Sequence, residues 1–229
     1  MYKYETHMHT AEVSACGQVS ATEQARIYKK LGYTGVIVTD HFFNGNTAVP
    51  RDLPWDERVT RFCDGYRMVK EEGEKLGLQV YFGLETNFRG MEFLLYGLSE
   101  EWLKEHSDML SWSVEKQYEM VKEAGGLVVQ AHPFREAPYI RDIKQYPHAV
   151  DAMECYNGLN AVRNSIYNEK AVVYCKERGI TMTGGSDAHA EQTLRGGMVF
   201  PEKWNSISDF ISAVKKGEGY EVISNFEKR

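Results

Sequence analysis

Two short runs of residues constrain the fold of this chain more than any other feature. GVIVT at residues 35–39 and GLVVQA at residues 126–131 are almost entirely apolar. A strand without a polar face is typical of a parallel sheet that helices cover on both sides. The two runs therefore predict an α/β fold with a buried, mainly parallel sheet.

Further runs of this kind alternate with stretches whose apolar residues recur at helical spacing. One such stretch, SATEQARIYKKLG, offers Ser20 or Thr22 as an N-cap, and three more begin at Trp55, Ser113 and Ser165. Each ends before a glycine, which is the usual stop signal of a helix. The predicted strands are Tyr2–Thr6, Gly35–Thr39, Leu78–Leu84, Phe93–Gly97, Leu127–Ala131, Ala149–Tyr156 and Ile180–Thr183, followed by a late pair near Met198–Phe200 and Glu221–Ile223.

The alternation of strands and helices runs without a Pro/Ser-rich linker or a break in composition. It predicts one α/β domain over residues 1–229, closed in the manner of a barrel. An open, doubly wound sheet is the alternative. Neither GxGxxG nor GxxxxGK[ST] is present, so the phosphate-binding loops of nucleotide-binding folds are not expected.

The composition limits the classes of partner. With 42% apolar and 26% charged residues, the chain of 229 residues has enough apolar side chains for a sizeable core. A net charge of −6 argues against binding extended nucleic acid through bulk positive charge. No apolar run approaches a membrane span, and the first residues lack the core of a signal peptide. The four cysteines form no Cys-x-x-Cys pair, so free thiols and a cytoplasmic location are expected.

Side chains that bind metal ions follow several predicted strands at the point where each strand ends. In a parallel barrel these ends open on one face, where ligands gather. A single histidine in such a place is more often a hydrogen-bonded loop residue than a ligand. Seven suitable side chains in the same relative position favour a metal site, and they are His7, His9, His41, Glu85, His132, Asp187 and His189.

The spacing within this set refines the prediction. Residues i and i+2 of a strand point to the same side, so His7 and His9 can face one ion, as can Asp187 and His189. Imidazole and carboxylate donors without a thiolate cluster suit zinc, manganese or iron. The donors are too many for one tetrahedral ion, and Glu85 has two oxygens with which to bridge a pair. Two or three divalent ions are therefore expected, a centre that suits phosphoryl groups.

Taken together, the motifs resemble those of the PHP (polymerase and histidinol phosphatase) superfamily. They are HMH at residues 7–9, TDH at 39–41, GLE at 83–85, AHP at 131–133 and GSDAH at 185–189, in that order. The resemblance implies a distorted, TIM-like (β/α)7 barrel of the PHP type. It also implies two or three metal ions and the hydrolysis of phosphate monoesters or diesters.

The resemblance further implies how the ligands divide. His7, His9, Glu85 and Asp187 would surround one ion, Glu85 and His132 would hold a second, and His41 and His189 a third. Glu12 is the expected further ligand of the third ion, with Cys16 in reserve. Relatives often supply the second ion with a His or Cys after the sixth strand; here Glu154 is the candidate, with an equal alternative as a partner that orients a ligand histidine.

Two arginines lie near predicted ligands and suit phosphate, which prefers a guanidinium fork. Arg135 follows His132 by three residues, and Arg195 follows His189 by six; a surface ion pair is the alternative for each. The loop HFFNGNTAVPRDLPW at residues 41–55 is a candidate substrate lid, unless its aromatic residues only pack over the barrel rim. His106 and His148 are expected to be solvated or capping residues.

These observations predict a metal-dependent phosphoesterase that cleaves a small-molecule phosphate ester, histidinol-phosphate-like or nucleotide-like, with a metal-activated water. Glu85, Asp187 and His189 are the expected catalytic residues, and Arg135 and Arg195 the expected substrate-binding residues. Neither extended nucleic acid nor a membrane is an expected partner, and the oligomeric state is left open. The alternatives are a nuclease acting on short oligonucleotides and a non-catalytic, metal-binding regulatory module.

Overall fold

A computed structural model of the protein describes residues 1–191 and 195–224. Over these residues strands and helices alternate along most of the chain, as the sequence predicts. In chain order they are β1 (Tyr2–Met8), α1 (Ala21–Lys30), β2 (Gly35–Val38), α2 (Trp55–Phe62), α3 (Asp64–Leu76), β3 (Gln79–Phe88), β4 (Met91–Tyr96), α4 (Glu100–Glu105), α5 (Val114–Glu123), β5 (Leu127–Gln130), β6 (Ala152–Asn157), α6 (Gly158–Arg163), α7 (Ile166–Arg178), β7 (Thr181–Gly185), β8 (Met198–Phe200), α8 (Ile207–Lys216) and β9 (Glu221–Val222).

The strands form one sheet in the order β7-β6-β5-β4-β3-β2-β1-β8-β9. Its two parallel blocks are β1-β2-β3 and β5-β6-β7, and β4 lies antiparallel between them. The sheet curls until β1 meets the end of β7 at a parallel bridge between Met8 and Ala188. There the His9 amide donates to the Ala188 carbonyl at 3.2 Å. The expected barrel-like closure is confirmed, and the open doubly wound sheet is wrong.

Strand β4 departs from the expected strand–helix repeat. β3 turns directly into β4 through Arg89 and Gly90, whose φ angles are 56° and 94°. Positive φ at both central residues is the signature of a type I′ hairpin turn. The sequence suggested that Glu85 lies at the end of its strand. Because β3 continues past its parallel neighbours to reach this turn, Glu85 instead lies inside β3.

The join between β1 and β7 depends on a residue without a side chain. A Cβ atom on Gly185 would lie 2.5 Å from Cβ of His7, so an alanine there would force the strands apart. Close by, the Thr6 hydroxyl donates to the Gly184 carbonyl at 2.7 Å. The buried carboxylate of Glu5 accepts from the amides of His7 and Ser186, each at 2.8 Å, and so spans both strands. This seam brings the first metal-binding motif against the last.

The aromatic loop at residues 41–55 packs into the core. Phe42 is fully buried and Phe43 is 5% exposed, and both rings contact Phe62 of α2. This placement matches packing over the barrel rim, the alternative to the lid that the sequence suggested.

Helix ends follow the local sequence signals. Ser20 is the N-cap of α1 and accepts from the Glu23 amide, while Gly77 and Gly179 end α3 and α7 in the left-handed conformation. Across residues 1–191 and 195–224, no helix has both the length and the apolar character that crossing a membrane requires.

Candidate metal centre

The seven predicted ligands converge at the end of the barrel where the parallel strands finish. Six of them are at least nine-tenths buried, and His189 is the most accessible, with 16% of its side chain exposed. Within this cluster, sets of three side chains place their donor atoms within 4.8 Å of one another. Three of these sets are His7/His9/Asp187, His7/Glu85/His132 and His9/His41/His189.

The first set joins the two edges of the seam. His7 lies in β1 and His9 directly follows it; their Nε2 atoms come to 3.1 Å, since residues two apart in an extended chain project from the same side. Asp187 Oδ1 lies 3.6 Å from Nε2 of His7 and 3.3 Å from Nε2 of His9. Two imidazoles, which bind a metal in their neutral form, and a carboxylate so placed provide three of the donors that a tetrahedral zinc-type ion uses.

Glu85 lies between the sets and touches all of them. Its Oε1 is 3.3 Å from His7 Nε2 and 3.5 Å from His132 Nε2. Its Oε2 is 3.5 Å from His9 Nε2 and 2.8 Å from His41 Nδ1. Although Glu85 is 1% exposed, no described group donates to either oxygen with hydrogen-bond geometry. A buried carboxylate normally has such donors, so this one fits a position bridging two cations.

The third set consists of residues that follow the ends of β1, β2 and β7, namely His9, His41 and His189. His41 and His189 bring their Nε2 atoms to 3.4 Å. Nδ1 of His189 lies 3.0 Å from the Asp187 carbonyl, to which it donates, and this bond directs Nε2 toward the set. The pKa of the Cys16 thiol is lowered to about 6: burial alone would raise it, but the imidazoles of His189 and His41 outweigh that effect.

Glu92 of β4 is a potential ligand that the sequence reasoning missed. It is 6% exposed, and its Oε2 lies 3.4 Å from His132 Nε2. It forms a fourth close set with His41 and Glu85. The hairpin explains its position, because Asn87 pairs with Glu92 and therefore both share the face of Glu85. A signal was present in the sequence, since Glu92 is the only charged residue in the apolar run MEFLLY.

The charges of the cluster are strongly coupled. Burial works to lower the pKa of His7, but Glu154, Asp187 and Glu85 outweigh it and hold that pKa well above its usual value. Burial likewise opposes the charge on His189, yet Asp187 raises its pKa to about 10. His9 behaves in the opposite way: burial and the neighbouring imidazoles of His189 and His41 hold its pKa well below the usual value.

Glu154 and Glu12 do not join the close sets. Oε1 of Glu154 lies 2.9 Å from Nδ1 of His7, behind the ring, and Oε2 accepts from the His132 amide at 3.2 Å. This is the orienting position that the sequence left as an alternative. Oε2 of Glu12 accepts from the Ala21 amide at 2.8 Å, at the start of α1. The structure therefore gives Glu12 a helix-capping contact in place of the expected ligand position.

The two arginines are placed differently. Arg135 is 5% exposed, and its Nη2 lies 2.6 Å from Asp187 Oδ2 while Nε donates to Asn160 at 2.8 Å. It is thus beside the cluster and paired with one of its carboxylates. Arg195 lies over the ring of Tyr28 on α1, 4.9 Å from the centroid, and is not brought to the cluster. Of the two bystander histidines, His106 donates from Nδ1 to the Trp102 carbonyl and His148 is exposed.

Backbone strain also concentrates here. Three non-glycine residues among those described have positive φ: Arg89 in the hairpin turn, His132 at 29° and Asp187 at 54°. Such conformations cost of order 1–3 kcal/mol each and persist where surrounding contacts hold them, often at functional sites. Two of the three belong to the cluster.

Comparisons with known proteins agree with this geometry. Residues 165–218, which run from the start of α7 past α8, match the family model described as PHP-associated. No curated protein matches the chain.

Solved structures share the fold at low sequence identity. A two-domain protein from Bacteroides vulgatus, described by prediction as containing a PHP-like metal-dependent phosphoesterase, superimposes with a TM-score of 0.70 at 18% identity, over 96% of this chain and 64% of that one. This chain thus spans less than two thirds of that protein. A Bifidobacterium adolescentis protein, provisionally described as a metal-dependent phosphoesterase, gives 0.56 at 17% identity over 94% and 96%.

The third structure is the lesion-specific endonuclease EndoQ from Pyrococcus furiosus. It gives a TM-score of 0.54 at 14% identity, over 96% of this chain and 57% of that one. The five ordered motifs, the PHP-associated match over residues 165–218 and the barrel shared with these structures together support membership of the PHP superfamily.

Proposed function

We propose that the protein is a metal-dependent phosphoesterase that hydrolyses the phosphate ester of a small molecule at a centre of two or three divalent ions. The observation that carries the proposal is Glu85, a buried carboxylate surrounded by the ring nitrogens of four histidines, to which no donor among the described residues makes a hydrogen bond of proper geometry. Such an arrangement is costly unless cations occupy it. The PHP-like phosphoesterases that share the fold support the same reaction class.

We assign the ligands by the close sets. His7, His9, Glu85 and Asp187 would hold one ion, and Glu85 and His132 a second. Glu92 would complete the set of donors around the second ion, the role first expected of Glu154. Glu92 faces His132, whereas Glu154 lies behind His7. His41 and His189 would hold a third. Zinc, manganese and iron all accept this mixture of imidazole and carboxylate donors.

When bound, divalent ions at such a centre supply an activated water and neutralise the charge that develops on a phosphoryl group. The chain's own residues prepare the site. Glu154 and the Asp187 carbonyl fix the ring orientations of His7 and His189 through the nitrogens that face away from the cluster. Arg135 pairs with Asp187 and adds a permanent positive charge beside the place where a phosphate would sit.

His189 has a further role in this proposal. It is the most accessible of the seven cluster residues, so a substrate would meet it first. As a ligand of the third ion His189 would be a neutral imidazole, although in the metal-free protein Asp187 outweighs burial and raises its pKa to about 10. Glu85 and Asp187 stay ionised beside it, since the pKa of each is held well below its usual value: burial opposes this, but His7 favours ionised Glu85 and Arg135 favours ionised Asp187.

A small substrate is favoured over a long polyanion because the chain carries a net charge of −6. The second candidate is a nuclease acting on short oligonucleotides, and the likeness to the EndoQ endonuclease favours it. A non-catalytic, metal-binding regulatory module is the third. The three differ in which compounds a fully loaded protein converts.

The test combines metal analysis with substrate panels. The chain is stripped with a chelator, reloaded separately with manganese, iron and zinc, and assayed against phosphomonoesters, nucleotides and short oligonucleotides. His7→Ala is the inactive reference, and His148→Ala, outside the cluster, is the matched control. Hydrolysis of monoesters that is lost only in His7→Ala supports the proposal. Hydrolysis of oligonucleotides alone selects the nuclease, and a fully loaded but inert protein selects the regulatory module.

A further inference from the structure

Two cysteines meet between the barrel wall and the helix that covers it. Cys155 lies in β6 and Cys175 in α7, and the Cys155 thiol donates to the Cys175 sulfur at 3.2 Å. Both residues are fully buried and carry free thiols. Their sulfur atoms are roughly one ångström further apart than the two sulfurs of a disulfide bond. The pair lies outside the metal-binding sets and has no part in the proposed reaction.

Cys155 is the extra residue of a β-bulge. Two steps along β6, from Glu154 to Tyr156, match a single step along β7. A bulge of this kind shifts the alternation of side chains along its strand. Glu154 and Asn157 consequently face the same way, and Asn157 Nδ2 donates to Glu154 Oε2 at 2.8 Å. The bulge at Cys155 therefore sets the direction of both side chains.

Glu154, the immediate neighbour of Cys155, supports two predicted ligands. Its Oε1 lies 2.9 Å from Nδ1 of His7, and its Oε2 accepts from the His132 amide at 3.2 Å. A displacement of the bulge would move this carboxylate and with it the support of both rings.

Helix α7 reaches the same region by a second route. The side chain of Asn168 in α7 donates to the Asn157 carbonyl at 3.0 Å and accepts from the Asn157 amide at 3.3 Å. Oδ1 of Asn157 in turn accepts from Arg135 Nη2 at 2.9 Å. A movement of α7 relative to β6 would therefore be transmitted to Arg135, which pairs with Asp187.

A small solute can reach the cysteine pair from the end of α7. Cys175 lies in the last turn of that helix, where its carbonyl accepts from the Ile180 amide at 3.0 Å, and the helix ends at Gly179. A cleft of about 710 Å³ opens there, lined in part by Gly179, Ile180 and Tyr156. Terminal helical turns open at little cost in free energy, so fraying of this turn uncovers Cys175 to a solute in the cleft.

We propose that Cys155 and Cys175 are a modification site, at which hydrogen peroxide converts the two thiols into an intramolecular disulfide that weakens metal binding by drawing the β6 bulge toward α7. One peroxide oxygen passes to the first sulfur, which becomes a sulfenic acid, and the other leaves as water. The second thiol then attacks that sulfur, the S–S bond forms, and a second water leaves. The two sulfurs are oxidised by two electrons, and the O–O bond is reduced.

The bond itself is tested by peptide mass spectrometry. The chelator-stripped chain is treated with hydrogen peroxide, the excess is removed with catalase, and the remaining thiols are alkylated before digestion. The wild type should yield a linked peptide pair containing Cys155 and Cys175, which dithiothreitol separates. Cys63→Ala, which removes a buried cysteine outside the pair, is the matched control and should yield the same link. A wild type without this link overturns the proposal.

The effect on the metal centre is measured on the same samples as zinc affinity, by competition with a chelator of known affinity. Oxidation should weaken zinc binding by the wild type about tenfold, the lower end of the loss expected when a supporting residue is disturbed. Reduction, followed by removal of the reductant, should restore it. Cys175→Ala undergoes every other oxidation but cannot form the bond, so its affinity should not respond to peroxide. Cys155→Ala is the second such variant, and circular dichroism confirms that each is folded.

The weakening of metal binding rests on the metal centre of the proposed function, and the results separate the two. A linked wild type with unchanged zinc affinity overturns the control of the site, as does an equal loss of affinity in Cys175→Ala. A chain that hydrolyses phosphate esters but forms no link overturns this inference and leaves the phosphoesterase standing. A chain that forms the link and loses zinc affinity, yet is inert toward every ester, does the reverse.

Discussion

Glu154 lies behind His7, with its Oε1 2.9 Å from the ring nitrogen Nδ1 that faces away from the candidate metal centre. The contact fixes the ring so that Nε2 points at the cluster, and the carboxylate charge makes that nitrogen a better donor. The same carboxylate accepts from the His132 amide, so one residue supports two ligands. Support of this kind is measurable as metal affinity.

Glu154→Gln should therefore weaken metal binding without removing a ligand. The amide oxygen still accepts from His7, but the negative charge is lost, and substitutions of such supporting residues typically cost about 10–100-fold in metal affinity. Competition with a chelator of known affinity measures the change. Glu202→Gln, on an exposed residue, is the control. Unchanged affinity in Glu154→Gln would show that the charge behind His7 is not needed.

Met8, the last residue of β1, and His9, which follows it, should respond to substitution in opposite ways. Met8 is fully buried and packs with Ala21, Ala25 and Tyr28 beneath α1, whereas His9 points into the cluster. Met8→Ala should lower the free energy of unfolding by about 2–5 kcal/mol through the cavity it leaves, with metal content unchanged. His9→Ala should lose metal. Denaturant unfolding and metal analysis of the two purified variants distinguish these effects, and a loss of metal in Met8→Ala would contradict the assigned faces.

Glu92 should hold an ion. Glu92→Ala removes the carboxylate that lies 3.4 Å from His132, and we expect the metal content to fall by about one ion per chain while the first position remains filled. Elemental analysis after extensive dialysis measures this. Glu101→Ala, on an exposed glutamate of α4, is the control. Full metal content in Glu92→Ala would mean that Glu92 lies beside His132 without binding an ion.

Metal binding should release protons near neutral pH and tighten as the pH rises. The pKa of His7 is well above its usual value and that of His189 is about 10, so both rings carry a proton in the metal-free protein at pH 7. A metal ligand must be neutral imidazole, so these protons leave on binding, and raising the pH makes their removal easier. Calorimetry in two buffers of different ionisation enthalpy counts the protons. Net uptake of protons on metal binding, or no proton exchange with the buffer, would contradict the expected release.

Gly185→Ala should damage the site from outside the ligand set. The new methyl group would lie 2.5 Å from Cβ of His7, and the strands must separate to admit it. Overpacking of this kind costs roughly 1–3 kcal/mol. We expect a lower Tm together with reduced metal content, because His7 and Asp187 lie on opposite sides of the seam. A stable variant with full metal content would show that β1 and β7 can accommodate the extra methyl group without loss of packing.

Much of this arrangement could be predicted from the sequence because strand ends are easy to locate. Apolar runs such as GVIVT mark buried strands, and parallel strands end at one edge. The seven side chains that follow or end those runs are the ones that the structure brings together. Predicted and observed strand bounds differ by only a few residues, largely where β3 and β7 extend further into the motifs.

The direction of β4 and the path of the loop after β1 could not be predicted, because the residues that determine them form no strong sequence pattern. An Arg-Gly turn is a poorer hairpin signal than Asn-Gly or Asp-Gly, so the reversed direction of β4 was not foreseen, and with it the inward position of Glu92. The path of the loop after β1 depends on Ser14 bridging to Asp40 and His41. No local pattern in the sequence reveals that bridge.

With the proposed ion bound, the seam between β1 and β7 would couple the shape of the protein to the supply of metal. His7 and Asp187 stand 180 positions apart in the chain, yet an ion between them would bind only when both edges of the barrel are in place. A ligand that binds the closed form alone stabilises it by an amount that grows with the logarithm of its free concentration. Closure of this barrel would then depend on the free concentration of the ion as well as on the sequence. Depleting the ion would open the seam before the rest of the protein unfolds.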